Sequence, residues 1–501
     1  MKTLGDLLNA LQAAGLLMET WESIDNIDID HVAGDSRKVG PNGLFVAIPG
    51  VEVDGHLFID KAVKNGAIAI VCEAVPENRA HRYPGAAFAR VHNSRSALAE
   101  LAAAWYDNPS HALRIVGVTG TNGKTTVAFL VQEALGLLGV QAGFTGTVGV
   151  RMAGEEFAAR LTTPDALYMQ RLLRRMADKG CDTCAMEVSS HALDQERVRG
   201  IAFDVAVFTN LTHDHLDYHP TFSAYFAAKK TLFDRLDPNA TALFNADDPA
   251  GARMVADTRA ARTSYGLDAA ADIHAEVVED TMEGLVLRVD GRARRFRLAG
   301  RFNAYNLLAA WGALLALGCD AGEALDALEE ARSAPGRFER IRFEDGTHVV
   351  IDYAHTPAAL QAVLETITAA RPPGAHVWCV FGCGGDRDRT KRPMMGAVAE
   401  RFTDHLIVTS DNPRTEDPAR IMQDIRAGLT DPDRALLITD RGQAIAEASR
   451  LARPGDIVLV AGKGHETRQI VGTDAKRFDD REAVRAAFAR RPPARLPQHP
   501  R

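Results

Sequence analysis

The sequence predicts an α/β protein of three domains, and three observations carry that prediction. The chain has 501 residues, enough for about three domains with a core each. Short apolar runs alternate with segments whose apolar residues recur at helical spacing, the pattern of a parallel sheet covered by helices. Polar motifs follow several of these apolar runs directly, at the strand ends where open α/β sheets bind ligands.

Composition narrows the function. Hydrophobic residues make up 46% and charged residues 25% of the chain, as in an ordinary globular protein. The formal charge of -8 and a pI near 6.1 argue against nucleic acid as the main partner, because phosphate backbones need a concentrated basic surface. No window approaches 18 uninterrupted apolar residues, so no membrane span is expected. The six cysteines, at 72, 181, 184, 319, 379 and 383, form no disulfide framework. Cys181 and Cys184 have two residues between them, but no second pair at zinc spacing accompanies them, so structural thiols in a reducing cytoplasm are expected.

Residues 1–92 form the first domain. Leu4, Leu7, Leu8 and Leu11 predict a surface helix, and Asp6 within it speaks against a signal peptide. Gly34-Asp35-Ser36-Arg37 reads as a polar turn, and an apolar strand follows Gly43.

Residues 93–334 form the second domain. Asp107-Asn108-Pro109-Ser110 turns the chain into residues 115–118, an apolar run that reads as a buried strand. Gly120, Thr121, Asn122 and Gly123 make a glycine-rich turn, and Val127, Leu130, Val131, Ala134, Leu135 and Leu138 then recur with helical period. Strand, turn and helix in this order make a phosphate loop. Its amides can approach an anion closely, and the helix N-terminus adds about half a positive charge. Lys124 can reach β- and γ-phosphates, and Thr125 is placed for Mg²⁺. Val118 stands where the commonest spacing has glycine, which leaves a plain glycine-rich turn with a solvated lysine as the alternative. Two more strands end in polar groups, residues 184–188 running into Ser189-Ser190-His191 and residues 205–209 into Asn210-Leu211-Thr212-His213-Asp214-His215. Glu187 and His215 should therefore face the crevice of Lys124. A helix with Lys229 and Lys230 follows, and residues 333–337 read as a hinge.

Residues 335–490 form the third domain, and 491–501 a Pro- and Arg-rich tail expected to be disordered. Four apolar strands end in polar loops: Asp352 to Pro357, Gly382 to Asp388, Ser410 to Arg414, and Gly462 to Glu466. Packing alone gives no reason for such clustering, so a second ligand site is expected at this sheet edge.

In this order and across three domains, these motifs resemble the Mur ligase family, the ATP-dependent amino-acid ligases of peptidoglycan-precursor synthesis. The similarity covers nearly the full length and excludes the tail. It is carried by Asp35-Ser36-Arg37, Thr119 to Thr126, Thr162-Thr163-Pro164, Met186 to His191, Asn210 to His215, Asp352 to Pro357, Asp411 to Arg414 and Gly462 to Glu466. The resemblance implies an N-terminal domain binding a UDP-linked substrate, a central P-loop ATPase-like parallel sheet and a C-terminal Rossmann-like domain. It further implies ATP and Mg²⁺ as cofactors, UDP-N-acetylmuramoyl-L-alanyl-D-glutamate and meso-2,6-diaminopimelate as substrates, and a cytoplasmic role in cell-wall biogenesis, on which cell shape and division depend.

Site residues follow from the same resemblance. Gly120, Thr121, Asn122, Gly123, Lys124, Thr125 and Thr126 would bind ATP together with Asn303, Arg337 and His355. Thr125 and Glu187 would help hold one Mg²⁺ and His215 a second, and Lys229 would carry a carbamate that supports the metal, Lys230 being its neighbour and competitor. Ser36, Val51, Glu52 and Val53 would lie near the uridine. Thr162, Thr163, Ser189, Gln195 and Arg197 would bind the muramoyl-dipeptide part. Arg387, Asp411, Asn412, Pro413, Arg414, Gly462 and Glu466 would bind diaminopimelate, with Arg414 offering a planar fork to its distal carboxylate. Three rivals remain. Arg414 speaks against a lysine-adding family member, and the N-terminal domain against a folylpolyglutamate synthase-like ligase. A P-loop NTPase switch would need no amino-acid pocket.

Overall fold

The structure is a computed structural model that describes residues 2–21, 27–50, 53–159 and 161–489. The tail expected at 491–501 and the uridine contacts expected at Val51 and Glu52 lie outside the described residues.

The N-terminal unit is a five-stranded sheet in the order Leu17–Trp21, Ala87–Val91, Ala67–Cys72, Gly43–Val46, His31–Ala33, parallel except at its first pair. Helix Leu4–Ala13 begins at a capping box between Thr3 and Asp6 and buries Leu4, Leu7, Leu8 and Leu11 against this sheet. Helix Ser94–Trp105 serves two units. Ala97, Leu101 and Ala104 join the N-terminal core, while Ala99 and Ala102 pack on Ala166 and Leu167.

The central unit is a nine-stranded sheet. Its parallel part runs Ala142–Gly146, Thr183–Glu187, Arg114–Thr119, Val205–Phe208, Thr241–Asn245, Ala261–Gly266, Ile273–His274. Alternation along each strand feeds two cores. Val116, Val118, Val205 and Val207 face helices Lys124–Leu137 and Arg301–Ala316, whereas Ile115, Ala206 and Phe208 face helices Ala166–Asp178 and Phe222–Asp234. A separate antiparallel sheet, Glu276–Thr281, Gly284–Val289 and Arg292–Phe296, adds Leu285, Leu287 and Phe296 to the first core. Sequence reading passed over it, although Asp290-Gly291 between two alternating runs is a strong two-residue hairpin signal.

The C-terminal unit is a six-stranded sheet in the order Glu339–Arg342, His348–Asp352, Ile457–Ala461, Val377–Phe381, His405–Val408, Ala435–Leu437, parallel apart from its first strand. Helices pack on both faces, Pro357–Ala369, Lys391–Phe402 and Pro418–Arg426 on one and Arg441–Leu451 and Asp480–Phe488 on the other. Carboxyl ends of the central strands Arg114–Thr119, Thr183–Glu187 and Val205–Phe208 and of the C-terminal strand His348–Asp352 open on a shared cleft. Among the described residues no helix is long and apolar enough to cross a membrane, and all six cysteines are free.

Candidate active site

The cleft between the central and C-terminal units holds a cavity of 360 Å³ that Lys124, Thr125, Glu187, His215, Lys229, Asn303, Arg337 and His355 all line. Its floor is the phosphate loop. Gly120 and Gly123 adopt φ of 147° and 88°, and a Cβ on Gly120 would sit 1.9 Å from Thr209 Oγ1, so only glycine fits there. Hydrogen bonds pin the loop to the strand end beside it, among them Thr121 N to Asn210 O at 2.8 Å, Asn122 N to Asn210 Oδ1 at 2.9 Å, and Thr212 N to Thr121 Oγ1 at 3.0 Å. Helix Lys124–Leu137 starts at Gly123 with no side-chain cap, which leaves its first-turn amides for an anion.

Two lysines meet above this floor. Lys124 Nζ donates to Gly120 O at 2.9 Å and Thr121 O at 2.7 Å, and Lys229 Nζ donates to Gly120 O at 2.8 Å. Lys229 is 1% exposed, with its ammonium 4.6 Å from the centre of the Tyr225 ring. Burial, and then the charge of Lys124, push its pKa well below the ordinary lysine value. Burial also lowers Lys124, against the pull of Glu187 and Asp214. Lys230 turns outward and pairs with Asp234, and with Asp257 at 2.6 Å. The periodicity of the helix held this distinction, since Tyr225, Lys229, Leu232 and Phe233 share one buried stripe from which Lys230 is absent.

Acidic groups face the lysines. Glu187 is 1% exposed and accepts from Thr147 N at 2.6 Å and Thr147 Oγ1 at 3.1 Å. Burial alone would raise the Asp214 carboxyl, but His215, His355, Lys391 and Lys124 around it hold it down at about 2. His215, lowered to about 3 by burial, stays neutral at pH 7 beside it. It also sits in the left-handed backbone region at φ 56°, a conformation that costs about 1–3 kcal/mol and clusters at functional sites. Among the described residues no three of His, Cys, Asp and Glu come together as a ready metal site.

The C-terminal unit closes the cavity. Arg337 Nη2 donates to Thr125 Oγ1 at 2.9 Å, its guanidinium lies 4.5 Å from the centre of the Tyr353 ring, and its buried Nε has no hydrogen-bond partner. His355 Nδ1 lies 2.9 Å from Tyr353 O, and burial lowers its pKa to about 4. Asn303 and Asn306 form a relay, Asn306 Nδ2 donating to Asn303 Oδ1 at 2.9 Å and Asn303 Nδ2 to Ala299 O at 2.7 Å.

Thr162 and Ser189 line the cavity beside Glu187. Thr163 Oγ1 donates to Glu187 O at 2.8 Å. Arg197 donates to Thr163 O at 2.9 Å and to Gln195 Oε1 at 2.6 Å, extending this wall away from the lysines. Ser36, buried, and Val53, 51% exposed, lie on the N-terminal unit and do not line the cavity.

Of the four C-terminal strand ends expected at a second ligand site, the one carrying His355 lies apart from the other three. Asp352, Tyr353 and His355 line the phosphate-loop cavity, whereas the other three loops gather beside it without lining it, His465 packing on Tyr353 with ring centres 5.2 Å apart. There Arg414 Nη1 donates to Gly385 O at 2.7 Å, and a Cβ on Gly384 would meet both Arg414 Nη1 and Arg387 Cγ, at 3.0 and 3.8 Å, so the two arginines flank that glycine. Buried Lys463 donates to Asn412 Oδ1 at 3.1 Å, Glu466 Oε2 at 2.8 Å and Arg468 O at 2.7 Å, and Asn412 Nδ2 donates to Glu466 Oε2 at 2.7 Å. At Gly462, φ 111°, a Cβ would sit 2.5 Å from Asp411 Oδ2. Pro413 O accepts from Glu416 N at 3.1 Å.

Sequence reasoning did not single out Asp214, Asn306, Thr147, Lys391 or Lys463. Lys391 had a signal: it and Arg392 open a helix, where cations oppose the dipole, yet both are buried. Asn306 and Lys463 carried none: although Asn303 and Glu466 stand three residues from them, their burial is decided by packing across the fold.

The chain matches the Mur ligase family, catalytic domain, over residues 28–106, the Mur ligase middle domain over 118–314, and the Mur ligase, glutamate ligase domain, over 336–464. It is 46% identical over 488 residues to the UDP-N-acetylmuramoyl-L-alanyl-D-glutamate--2,6-diaminopimelate ligase of Parabacteroides distasonis, covering 97% of this chain and 99% of that one. It is also 46% identical over 477 residues to the protein of that name from Gloeobacter violaceus, covering 94% and 96%. A solved structure of a ligase with the same name aligns with a TM-score of 0.69 at 32% identity over 97% of this chain and 99% of that one. The MurF ligase of Thermotoga maritima in complex with ADP shares the fold, with a TM-score of 0.61 at 20% identity over 93% and 98%.

Proposed function

This chain belongs to the Mur ligase family, and from that premise we infer that it uses ATP to join meso-2,6-diaminopimelate to UDP-N-acetylmuramoyl-L-alanyl-D-glutamate in peptidoglycan-precursor synthesis. The observation that carries the reading is a phosphate loop faced, across one cleft, by residues of a second domain whose sheet edge presents Arg387 and Arg414. A carboxylate acylates poorly, so its oxygen first takes the γ-phosphoryl group of ATP, with ADP leaving. The amine of diaminopimelate then attacks the acyl phosphate and phosphate departs. Phosphoryl transfer to a carboxylate brings negative groups together, so the site needs positioned cations rather than a nucleophilic side chain. Lys124 and Arg337 meet that need at the two walls of the cleft.

Buried carboxylates and a hydroxyl beside the phosphate loop suit Mg²⁺, a hard cation that takes oxygen ligands and keeps part of its shell as water and phosphate. Thr125 and Glu187 would hold one ion and His215 a second, with charge neutralisation on the phosphates as their contribution. Lys229, desolvated and pressed by Lys124, is the amine most easily kept neutral here, and neutrality is what carbamylation by CO₂ requires. As a carbamate it would add oxygen donors to the metal set. Thr162, Thr163, Ser189, Gln195 and Arg197 would seat the muramoyl dipeptide, with Ser36 and Val53 toward the uridine. The cytoplasm, where ATP and free thiols persist, is the compartment this reading implies.

The test is phosphate release by the purified protein with ATP, Mg²⁺ and the UDP-linked dipeptide while the amino acid is varied. Release that depends on diaminopimelate supports the reading. Equal release with lysine would point to a different family member, and release without any amino acid to a nucleotide switch.

A further inference from the structure

Two loops from different domains meet outside the phosphate-loop cavity, at a contact that the chemistry above does not use. His213 Nε2 lies 3.1 Å from Asp388 Oδ2, across 175 residues of sequence. His213 belongs to the loop whose Asn210 and Thr212 are already bonded to the phosphate loop. Asp388 belongs to the loop that carries Arg387, and it is fixed as firmly. Its Oδ1 accepts from Thr390 N at 2.8 Å and Thr390 Oγ1 at 2.6 Å. Two residues back, Asp386 N donates to Glu416 Oε1 at 2.6 Å, and buried Arg392 joins Glu416 at 2.7 Å to Gly384 O at 3.2 Å. Asp388 thus holds its own loop with one oxygen and another domain with the other.

We propose that His213 and Asp388 are a positioning pair whose hydrogen bond sets the amino-acid loop, residues 384–388, in register with the phosphate loop. The proposal rests on the substrate reading above. Neither side chain lines the cavity of the phosphate loop, so the pair acts through Arg387 and its loop rather than on reacting atoms. Of the other polar contacts between these units, Arg337 to Thr125 at 2.9 Å and His355 to Asp214 at 3.9 Å lie at the phosphate-loop cavity, and Arg340 to Arg297 O at 2.6 Å involves neither of the two loops. Losing the His213–Asp388 bond should therefore loosen the amino acid and leave ATP in place, an asymmetry that general destabilisation would not produce. The His213 side chain is 38% exposed, so its removal opens no core cavity.

The experiment measures phosphate release while diaminopimelate and ATP are varied separately, for wild type, His213→Ala, His213→Gln, Asp388→Ala and the His213→Ala/Asp388→Ala double variant. For a half-exposed hydrogen bond to a carboxylate, His213→Ala should raise KM for diaminopimelate about five- to tenfold and leave KM for ATP within about twofold. His213→Gln, whose amide N–H has similar reach, should restore most of the loss. The double variant should be no worse than Asp388→Ala alone, the non-additivity of a shared contact. Unchanged KM for diaminopimelate, a parallel rise for ATP, or additive losses would overturn the proposal while the substrate reading stood. Should Asp388→Ala fail to fold, the His213→Ala and His213→Gln comparison decides alone. A wild type silent with diaminopimelate would overturn the substrate reading and the pair with it.

Discussion

The phosphate-loop cavity and the amino-acid loops sit at neighbouring sheet edges, yet they treat charge in opposite ways. In the cavity, cations are desolvated and thinly partnered. Lys124 and Lys229 share one carbonyl, Gly120 O, and Arg337 leaves its Nε without a partner. Around the amino-acid loops, cations are neutralised in place: Lys463 has three acceptors, and Arg392 is tied to Glu416 at 2.7 Å and Asp424 at 2.9 Å. Chemistry on phosphate needs groups whose stabilisation is completed only when charge develops, whereas recognition needs a frame that is already satisfied and presents a few half-buried readers. In the proposed function Arg414 takes the part of such a reader, held at φ 50° with its guanidinium bonded to Gly385 O.

The largest effect that could break this contrast is at Lys124. Lys124→Ala should lower phosphate release about 10² to 10³-fold, worth roughly 2.7–4 kcal/mol, with folding intact by circular dichroism. Near-normal turnover at saturating ATP would show the cavity cations to be ordinary packing. Lys229→Ala should cost somewhat less, about 10²-fold, and short-chain carboxylates that fill the space of a carbamate should restore part of it. Lys230→Ala should need no such rescue; a rescued Lys230 and an indifferent Lys229 would reverse the reading of that helix.

On the recognition side, wild type should prefer diaminopimelate over lysine by at least about 10³ in kcat/KM, because lysine offers no carboxylate to half-buried Arg414 and its neighbour Arg387. Arg414→Ala should narrow the preference about ten- to a hundredfold, and unchanged discrimination would remove Arg414 as the reader. The smallest effect concerns the frame. Hydrogen bonds from Arg392 hold the Glu416 carboxyl down at about 2. A carboxylate depressed in the folded state stabilises above its unfolded pKa, and the benefit is lost as pH falls through the folded value. Glu416→Gln should thus lower the urea stability by about 1–2 kcal/mol at pH 6, after discounting for partial exposure, and by less than half of that at pH 3. A pH-independent difference would mean that shape rather than charge secures the loop.

What the sequence determined by itself was everything set by neighbours along the chain. Residues 115–138 read as strand, turn and helix because apolar spacing and glycine act over a few residues, and the strand Arg114–Thr119 and helix Lys124–Leu137 stand there. Strand ends with polar groups were legible for the same reason, and the resemblance to the family grew from their order. Tertiary structure alone decided which of those ends face one another. It set Tyr353 and His355 in the wall of the phosphate-loop cavity and Arg414 outside it, and locked the amide of Asn412 on Lys463, 51 residues distant. It also brought His213 to Asp388. Such pairings depend on how two sheets dock, a balance of packing and desolvation summed over whole domains that no local pattern records.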